Sequence, residues 1–182
     1  MKSIIQDGDS RLREIAKDVP LADIKSQAIQ NVLKDMEEAL NRESDGVAIA
    51  APQIGVSLRI FLVSEKIFDK TFLDEDGMKK TAKKKYGTIA FINPKILKIS
   101  KKTEVKNGEG CLSVRWLYGN VRRALNVTVE AYNEKGEKIK RGAGGILAHI
   151  FQHEIDHLDG ILFIDKATDI HEMTPESELE KK

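Results

Sequence analysis

Apolar residues recur at helical spacing over two stretches of the chain. The first runs from about 24 to 42, with Ile24, Ala28, Val32, Met36, Ala39 and Leu40 on one face. Asp23 is placed as its N-cap, and Ser44-Asp45-Gly46 ends the pattern. The second covers 145–158, where Ile146, Leu147, Ile150 and Leu158 share a broad face and Gly160 follows at the distance of a helix stop. Elsewhere the pattern is that of strands. A short apolar run, 58–63, reads as a buried strand, and 88–93 and 95–99 read as two strands parted by Pro94. Residues 125–132 alternate, with Val127, Val129 and Ala131 on one face. Asn133-Glu134-Lys135-Gly136 then turns the chain into 137–140 as a hairpin.

Four stretches resist periodicity. Asp9-Ser10-Arg11-Leu12-Arg13 suggests a turn and a short helical piece within the mixed segment 1–22. Residues 46–55 are apolar and mostly small, and Pro52 breaks any long helix, so by themselves they read as a buried loop. Residues 65–88 are acidic and then lysine-rich, the pattern of a solvated excursion. After Asp165 the chain is polar and charged, with room for a helical turn after Thr174-Pro175 or for fraying. One helix early, one late and strands between them give an α+β class: a mainly antiparallel sheet around a central helix, with an N-terminal helix.

A chain of 182 residues suits one domain with a full core. Its 30 basic and 29 acidic side chains nearly cancel, so no global charge points to DNA or to an acidic membrane. No signal-peptide pattern opens the sequence, and no apolar run is long enough to cross a bilayer. A single cysteine fits a reducing compartment. These features read together as a soluble cytoplasmic protein.

The chemistry concentrates in the second helix. His153-Glu154-Ile155-Asp156-His157 spells H-E-x-x-H, and residues four apart on a helix stand one above the other. The two imidazoles can share a metal ion, and Glu154 beside them can serve as general base. The longer motif H-E-x-x-H-x-x-G-x-x-H would put a third histidine at 163, where this chain has Phe163. His149 is too far from His157, about 12 Å along the helix at roughly 1.5 Å per residue. His171 sits in the polar tail. Cys111, flanked by glycines in Gly108-Glu109-Gly110-Cys111-Leu112-Ser113, is the remaining soft donor.

Three ordered motifs resemble those of the peptide deformylase family: Gly46-Val47-Ala48-Ile49-Ala50-Ala51-Pro52-Gln53, Glu109-Gly110-Cys111-Leu112-Ser113 and His153-Glu154-Ile155-Asp156-His157. The flanking Asp9–Arg13 and Leu162-Phe163-Ile164-Asp165 resemble the family too. The resemblance implies removal of the formyl group from formyl-methionyl nascent peptides, with release of formate. It implies a single catalytic domain over 1–165, a polar tail over 166–182, and a metal-binding role for the central helix. Cys111, His153 and His157 would hold one divalent ion, Fe2+ natively, with Zn2+ or Ni2+ also accepted. Glu154 would be the general base, with Gln53 and the Leu112 N–H as oxyanion donors. Gly46, Val47 and Ala48 would pair with the substrate backbone. Val47, Ile146 and Ile150 would line the methionine pocket, with His149 at its rim or else an incidental surface histidine. Glu109 would pair with Arg123. Partners implied are nascent peptides and a transient ribosome contact, with no DNA and no membrane. Three positions depart from the family's common pattern: Ala48 stands for a glycine, Arg115 for a proline, and 65–88 is long. The competing readings are a general zinc metallopeptidase and a non-catalytic deformylase-like binding protein.

Overall fold

The polypeptide pairs its strands into two antiparallel sheets with one helix packed between them and another outside. This is seen in a computed structural model, which describes residues 2–69 and 86–174. In chain order the elements are α1 (Gln27–Arg42), β1 (Ala48–Ala50), β2 (Ile60–Ser64), β3 (Thr88–Ile99), β4 (Thr103–Cys111) and β5 (Val114–Ala124). They continue as β6 (Asn126–Tyr132), β7 (Lys138–Gly144), α2 (Gly145–Leu158) and β8 (Thr168–Glu172), with short 3-10 turns between some of them. One sheet has the order β1-β2-β3-β6-β7 and the other β4-β5-β8. All named strand pairs are antiparallel. The expected α+β class with a mainly antiparallel sheet is therefore observed. No helix among the described residues is long and apolar enough to cross a membrane.

Strands β1 and β2 and the first half of β3 are buried on both faces because α1 and α2 lie on opposite sides of the five-stranded sheet. Ile29, Leu33, Met36 and Leu40 of α1 pack against Ile49, Ile60, Leu62 and Ile92. On the other face Phe151 of α2 meets Phe61 and Phe91, with ring centroids 5.8 and 4.9 Å away. Ala48 and Ala50 of β1 share that cluster with Ala148 and Ile150 of α2. Small side chains on strand and helix let the two backbones approach closely. That close approach explains the run of small residues at 48–51, and 46–55 is an edge strand followed by the 3-10 turn Ala51–Ile54 rather than a loop.

Several boundaries shift from those the pattern suggested. Asp23 does not cap α1. It ends a 3-10 turn, Leu21–Asp23, and Ser26 is the cap, its Oγ accepting from the Ile29 N–H at 3.3 Å. The buried stripe follows Ile29, Leu33, Met36 and Leu40, leaving Ala28 exposed. Strand β3 runs through Pro94, because a bulge between Ile92 and Lys95 absorbs it. There Asn93 takes φ 51° and its amide pairs both ways with the Val19 backbone, at 2.8 and 2.7 Å. The hairpin after β6 is as expected, with Asn133 Oδ1 accepting from the Lys135 and Glu137 N–H groups, but its second strand extends to Gly144. Strands β4, β5 and β8 are additional. The last of these lies in the polar stretch after Asp165. A helical turn after Thr174-Pro175 and most of the lysine-rich segment lie outside the described residues.

Candidate metal centre and active site

Helix α2 starts directly from β7, through Gly144 as cap and Gly145 at φ 55°. Its side toward β4 and β5 carries the chemistry. Gln152 fixes the helix there: its Oε1 accepts from the Ala124 N–H at 2.9 Å, and its Nε2 donates to Ala124 O at 3.0 Å and to Ala148 O at 2.8 Å. One turn apart along this helix, His153 and His157 place their rings 4.9 Å from each other, close to perpendicular.

The opposing wall is the β4–β5 hairpin. Cys111 closes β4 and pairs with Val114 across the turn Leu112-Ser113. Cys111 Sγ lies 3.2 Å from His157 Nε2, and the ligand atoms of Cys111, His153 and His157 all lie within 4.8 Å of one another. One cysteine sulfur and two imidazoles form a donor set suited to a borderline divalent ion. Phe163 is 1% exposed and packs with Leu12, Val114 and Val121, a core residue and not part of the site. His171 is exposed on β8 and outside the cluster.

Glu109 organises the second layer. Its carboxylate accepts from Arg123 Nη2 at 2.6 Å and Nε at 3.2 Å, from His153 Nδ1 at 2.6 Å and from His149 Nε2 at 2.5 Å. Burial alone would raise its pKa, but these donors from His149, His153 and Arg123 outweigh it and hold the carboxyl well below the usual range. The bond to His153 Nδ1 leaves Nε2 as the nitrogen that could coordinate a metal, the arrangement that orients histidines in metal sites. Arg123 also reaches Asp156 at 2.5 Å, and Asp156 meets Lys166 at 2.7 Å. A charged chain thus runs from the site to the surface. His149 is no incidental surface residue: it is half-buried, bonds Glu109 and also borders the cavity.

Titration follows burial. Glu154 is 3% exposed, and its Oε2 has no hydrogen-bond partner among the described residues. Burial pushes its carboxyl up to about 7, against the positive His153 and with help from Glu109. Burial, then the charge of His153, lowers His157 well below the ordinary imidazole value. For His153 burial opposes the charged form, but hydrogen bonds to Cys111 and Glu109 prevail and raise its pKa. The unpartnered Glu154 oxygen, on a residue that borders the same cavity as Cys111 and His153, fits an arrangement that a metal ion and its bound water would complete.

Gln53 sits beneath the site. Its Oε1 accepts from the Ala50 N–H at 2.8 Å, which aims its Nε2 at Ser113 Oγ, 3.1 Å away, and at Cys111 Sγ, 3.5 Å away. A cavity of about 540 Å³ opens above these groups, bordered by Val47, Ala48, Ile146, Ile150, Glu154 and both edges of the cleft. Gly46 and Leu112 border it too, as do Cys111, His153 and Gln53, while His157 belongs to the Cys–His–His cluster.

The chain also matches the description of polypeptide deformylases over residues 1–173. It belongs to the polypeptide deformylase family. It is 42% identical over 167 residues to a peptide deformylase of Carboxydothermus hydrogenoformans, covering 92% of this chain and 93% of that one. It is 39% identical over 166 residues to the chloroplastic peptide deformylase 1A of Solanum lycopersicum, 91% of this chain but 59% of the plant protein's length. Its fold is similar to a probable peptide deformylase of Synechococcus phage S-SSM7, with TM-score 0.75, 33% identity and coverage of 91% and 99%. A Thermotoga maritima peptide deformylase gives TM-score 0.73 at 33% identity, covering 92% and 98%.

Within this deformylase chain, two departures from the common pattern have a definite setting. Ala48 is 7% exposed and packs with Phe61, Val63 and Ile150 while bordering the cavity. Arg115 bridges Glu43 and Asp45 at 2.6 Å each. Sequence reading missed Gln152, Ser113 and Asp156 as parts of the site. On a helix beside H-E-x-x-H, a buried glutamine differs from a solvent-facing one only by its partner strand, which periodicity does not reveal.

Proposed function

We propose that this protein is a metal-dependent hydrolase that removes the N-terminal formyl group from formyl-methionyl peptides and releases formate. The observation that carries the reading is the grouping of Cys111, His153 and His157 around one point, beside a cavity bordered by the buried Glu154, whose Oε2 has no partner among the described residues. A divalent ion held by the three ligands supplies Lewis acidity and lowers the pKa of a bound water. We take Fe2+ as the native ion, with Zn2+ or Ni2+ accepted by the same donors.

The chain's own groups divide the remaining work. Glu154, with a pKa raised to about 7, takes a proton from the attacking water and returns it to the leaving amine. The Gln53 Nε2 group and the Leu112 N–H receive the charge that grows on the formyl oxygen. Gln53 is already oriented for this by Ala50, so little reorganisation is needed during reaction. Substrate binding uses two sheet edges. β1 ends one sheet and β4 ends the other, and both border the cavity. An extended peptide can add as a strand along 46–48, which reads main chain rather than sequence. Val47, Ile146 and Ile150 supply the apolar wall for methionine, with residues 1–165 as the catalytic domain. Nascent chains emerging at a ribosome are the proposed substrates, and the cytoplasm, where a lone thiol stays reduced, is the proposed setting.

The test is metal content together with formate release from formyl-Met-Ala by protein purified without oxygen. The reading expects about one metal per chain and activity that chelation abolishes and Fe2+ or Ni2+ restores. Metal-loaded protein that releases no formate would refute it.

A further inference from the structure

Arg115 lies two residues beyond the Leu112-Ser113 turn, on β5, and borders the cavity. Its guanidinium reaches across to the segment that leads into β1: Nη1 to Asp45 Oδ2 at 2.6 Å, Nη2 to Glu43 Oε2 at 2.6 Å and Nη2 to Asp45 Oδ1 at 3.3 Å. The guanidinium also lies 4.9 Å from the centre of the Trp116 ring. One end of this bridge is on β5 and the other in the segment that leads into β1; these strands belong to different sheets, and each sheet contributes one edge of the cleft. Beside it the walls already touch, since a Cβ on Gly46 would come within 2.9 Å of Leu40 Cδ1 and 3.1 Å of Leu112 Cδ1.

The two sides are not equally well held. Around the cysteine turn, Gln6 Nε2 donates to Leu112 O at 3.0 Å and the Asp7 N–H to Ser113 O at 2.7 Å. Gln53 donates to Ser113 Oγ, and the Arg123–Glu109 pair anchors β4 just before it. Among the described residues, 43–46 have fewer ties: the Glu43 N–H to Leu40 O, the Gly46 N–H to Glu43 O at 3.3 Å and Lys66 Nζ to Ser44 O at 3.4 Å. Breaking the bridge therefore frees the β1 side and leaves the turn in place.

We propose that Arg115 is a positioning residue for substrate: through Glu43 and Asp45 it fixes the leading end of β1 against the cysteine turn and so sets the register in which the peptide backbone is received. The proposal rests on the deformylase reading and deepens it, because it assigns peptide affinity, not the chemical step, to this ion-pair cluster. Three hydrogen bonds to two carboxylates, with Arg as a rigid fork, give the geometry that a lysine cannot reproduce.

The experiment compares the metal-loaded wild type with Arg115→Gln, Arg115→Lys, the Glu43→Gln/Asp45→Asn variant and the three changes combined. Formate release gives KM and kcat for formyl-Met-Ala-Ser. Arg115→Gln is expected to raise KM about tenfold, the scale of one charge-assisted hydrogen bond, with kcat and metal content unchanged. The acid variant should match it, the combination should be no worse than either, and Arg115→Lys should recover only part of the loss. Glu43 and Asp45 are partly exposed, so the acid variant keeps the test open if Arg115→Gln fails to fold. An unchanged KM, a loss confined to kcat, or effects of opposite sign in the Arg and acid variants would overturn the proposal. Amide hydrogen exchange reads the same bridge without substrate: residues 44–48 should exchange faster in Arg115→Gln, and 109–114 should not. If the wild type releases no formate, the function fails while the exchange result still decides the bridge.

Discussion

Glu109 accepts four donors in a buried setting, and removing its charge strands Arg123 beside Asp156 alone. Glu109→Gln should cost about 3–5 kcal/mol in chemical denaturation, the usual loss when one partner of a buried ion pair is deleted. Its pH behaviour follows the sign of the shift. The folded pKa lies below the ordinary 4.5, so this stabilisation is complete above that pH and is lost as pH falls into the strongly acid range. Acid unfolding of Glu109→Gln should show a flatter dependence below that point than wild type. At Glu154 the expectation is different. Glu154→Gln keeps the shape and leaves the three ligands intact, so metal content should hold while turnover falls by about 10²–10⁴-fold. Loss of metal from that variant would mean that Glu154 is a ligand. Cys111, read as a ligating thiolate, should resist alkylation in the metal-loaded protein and react quickly after chelation. Equal reactivity in both states would contradict ligation. At this scale the sequence was highly legible, because Cys, His and Glu in motif spacing have few other reasons to converge. His149 and Gln152 were not, since their roles depend on Glu109 and Ala124, which are distant in the chain.

The elements differ in how plainly they announced themselves. Helix α2, its ending at Gly160 and the β6–β7 hairpin rest on local signals: a periodic apolar face, a glycine at φ 74° and an Asx turn. Gly160 also lies against its neighbour, since a Cβ there would sit 2.6 Å from Arg13 O. Gly160→Ala should therefore destabilise by more than the roughly 1–2 kcal/mol of a left-handed alanine, measured by urea midpoint. A variant as stable as wild type would show that this contact yields freely. Strand β4 was hidden because Asn107, Gly108 and Gly110 lower its strand propensity, although they free the backbone to place Glu109 and Cys111. β8 was hidden for another reason: all five of its residues are exposed, so no apolar alternation marks it. It is held by pairing with β5, an interaction between backbones that leaves no trace in side-chain pattern.

Across the whole molecule, the cleft is formed where the edges of two sheets meet over one helix, and that geometry bears on which bond is cut. The β1 edge and the cysteine turn approach each other closely at Gly46 and Leu112, so if residues 46–48 receive the substrate backbone as proposed, the reacting carbonyl would lie at a closed end. A formyl carbon carries only hydrogen and fits there. An acetyl adds a methyl, and an internal peptide bond would need a further residue beyond the end. An apolar pocket separates substrates by only about 1–3 kcal/mol per methylene, so exclusion at the blind end must supply the stricter discrimination. The most direct measurement is therefore amide hydrolysis by metal-loaded protein on three substrates in parallel: formyl-Met-Ala, acetyl-Met-Ala and a long unblocked peptide. The account predicts rapid formate release from the first, little reaction with the second and no cleavage of the third. Efficient cleavage of internal peptide bonds without formate release from formyl-Met-Ala would contradict it.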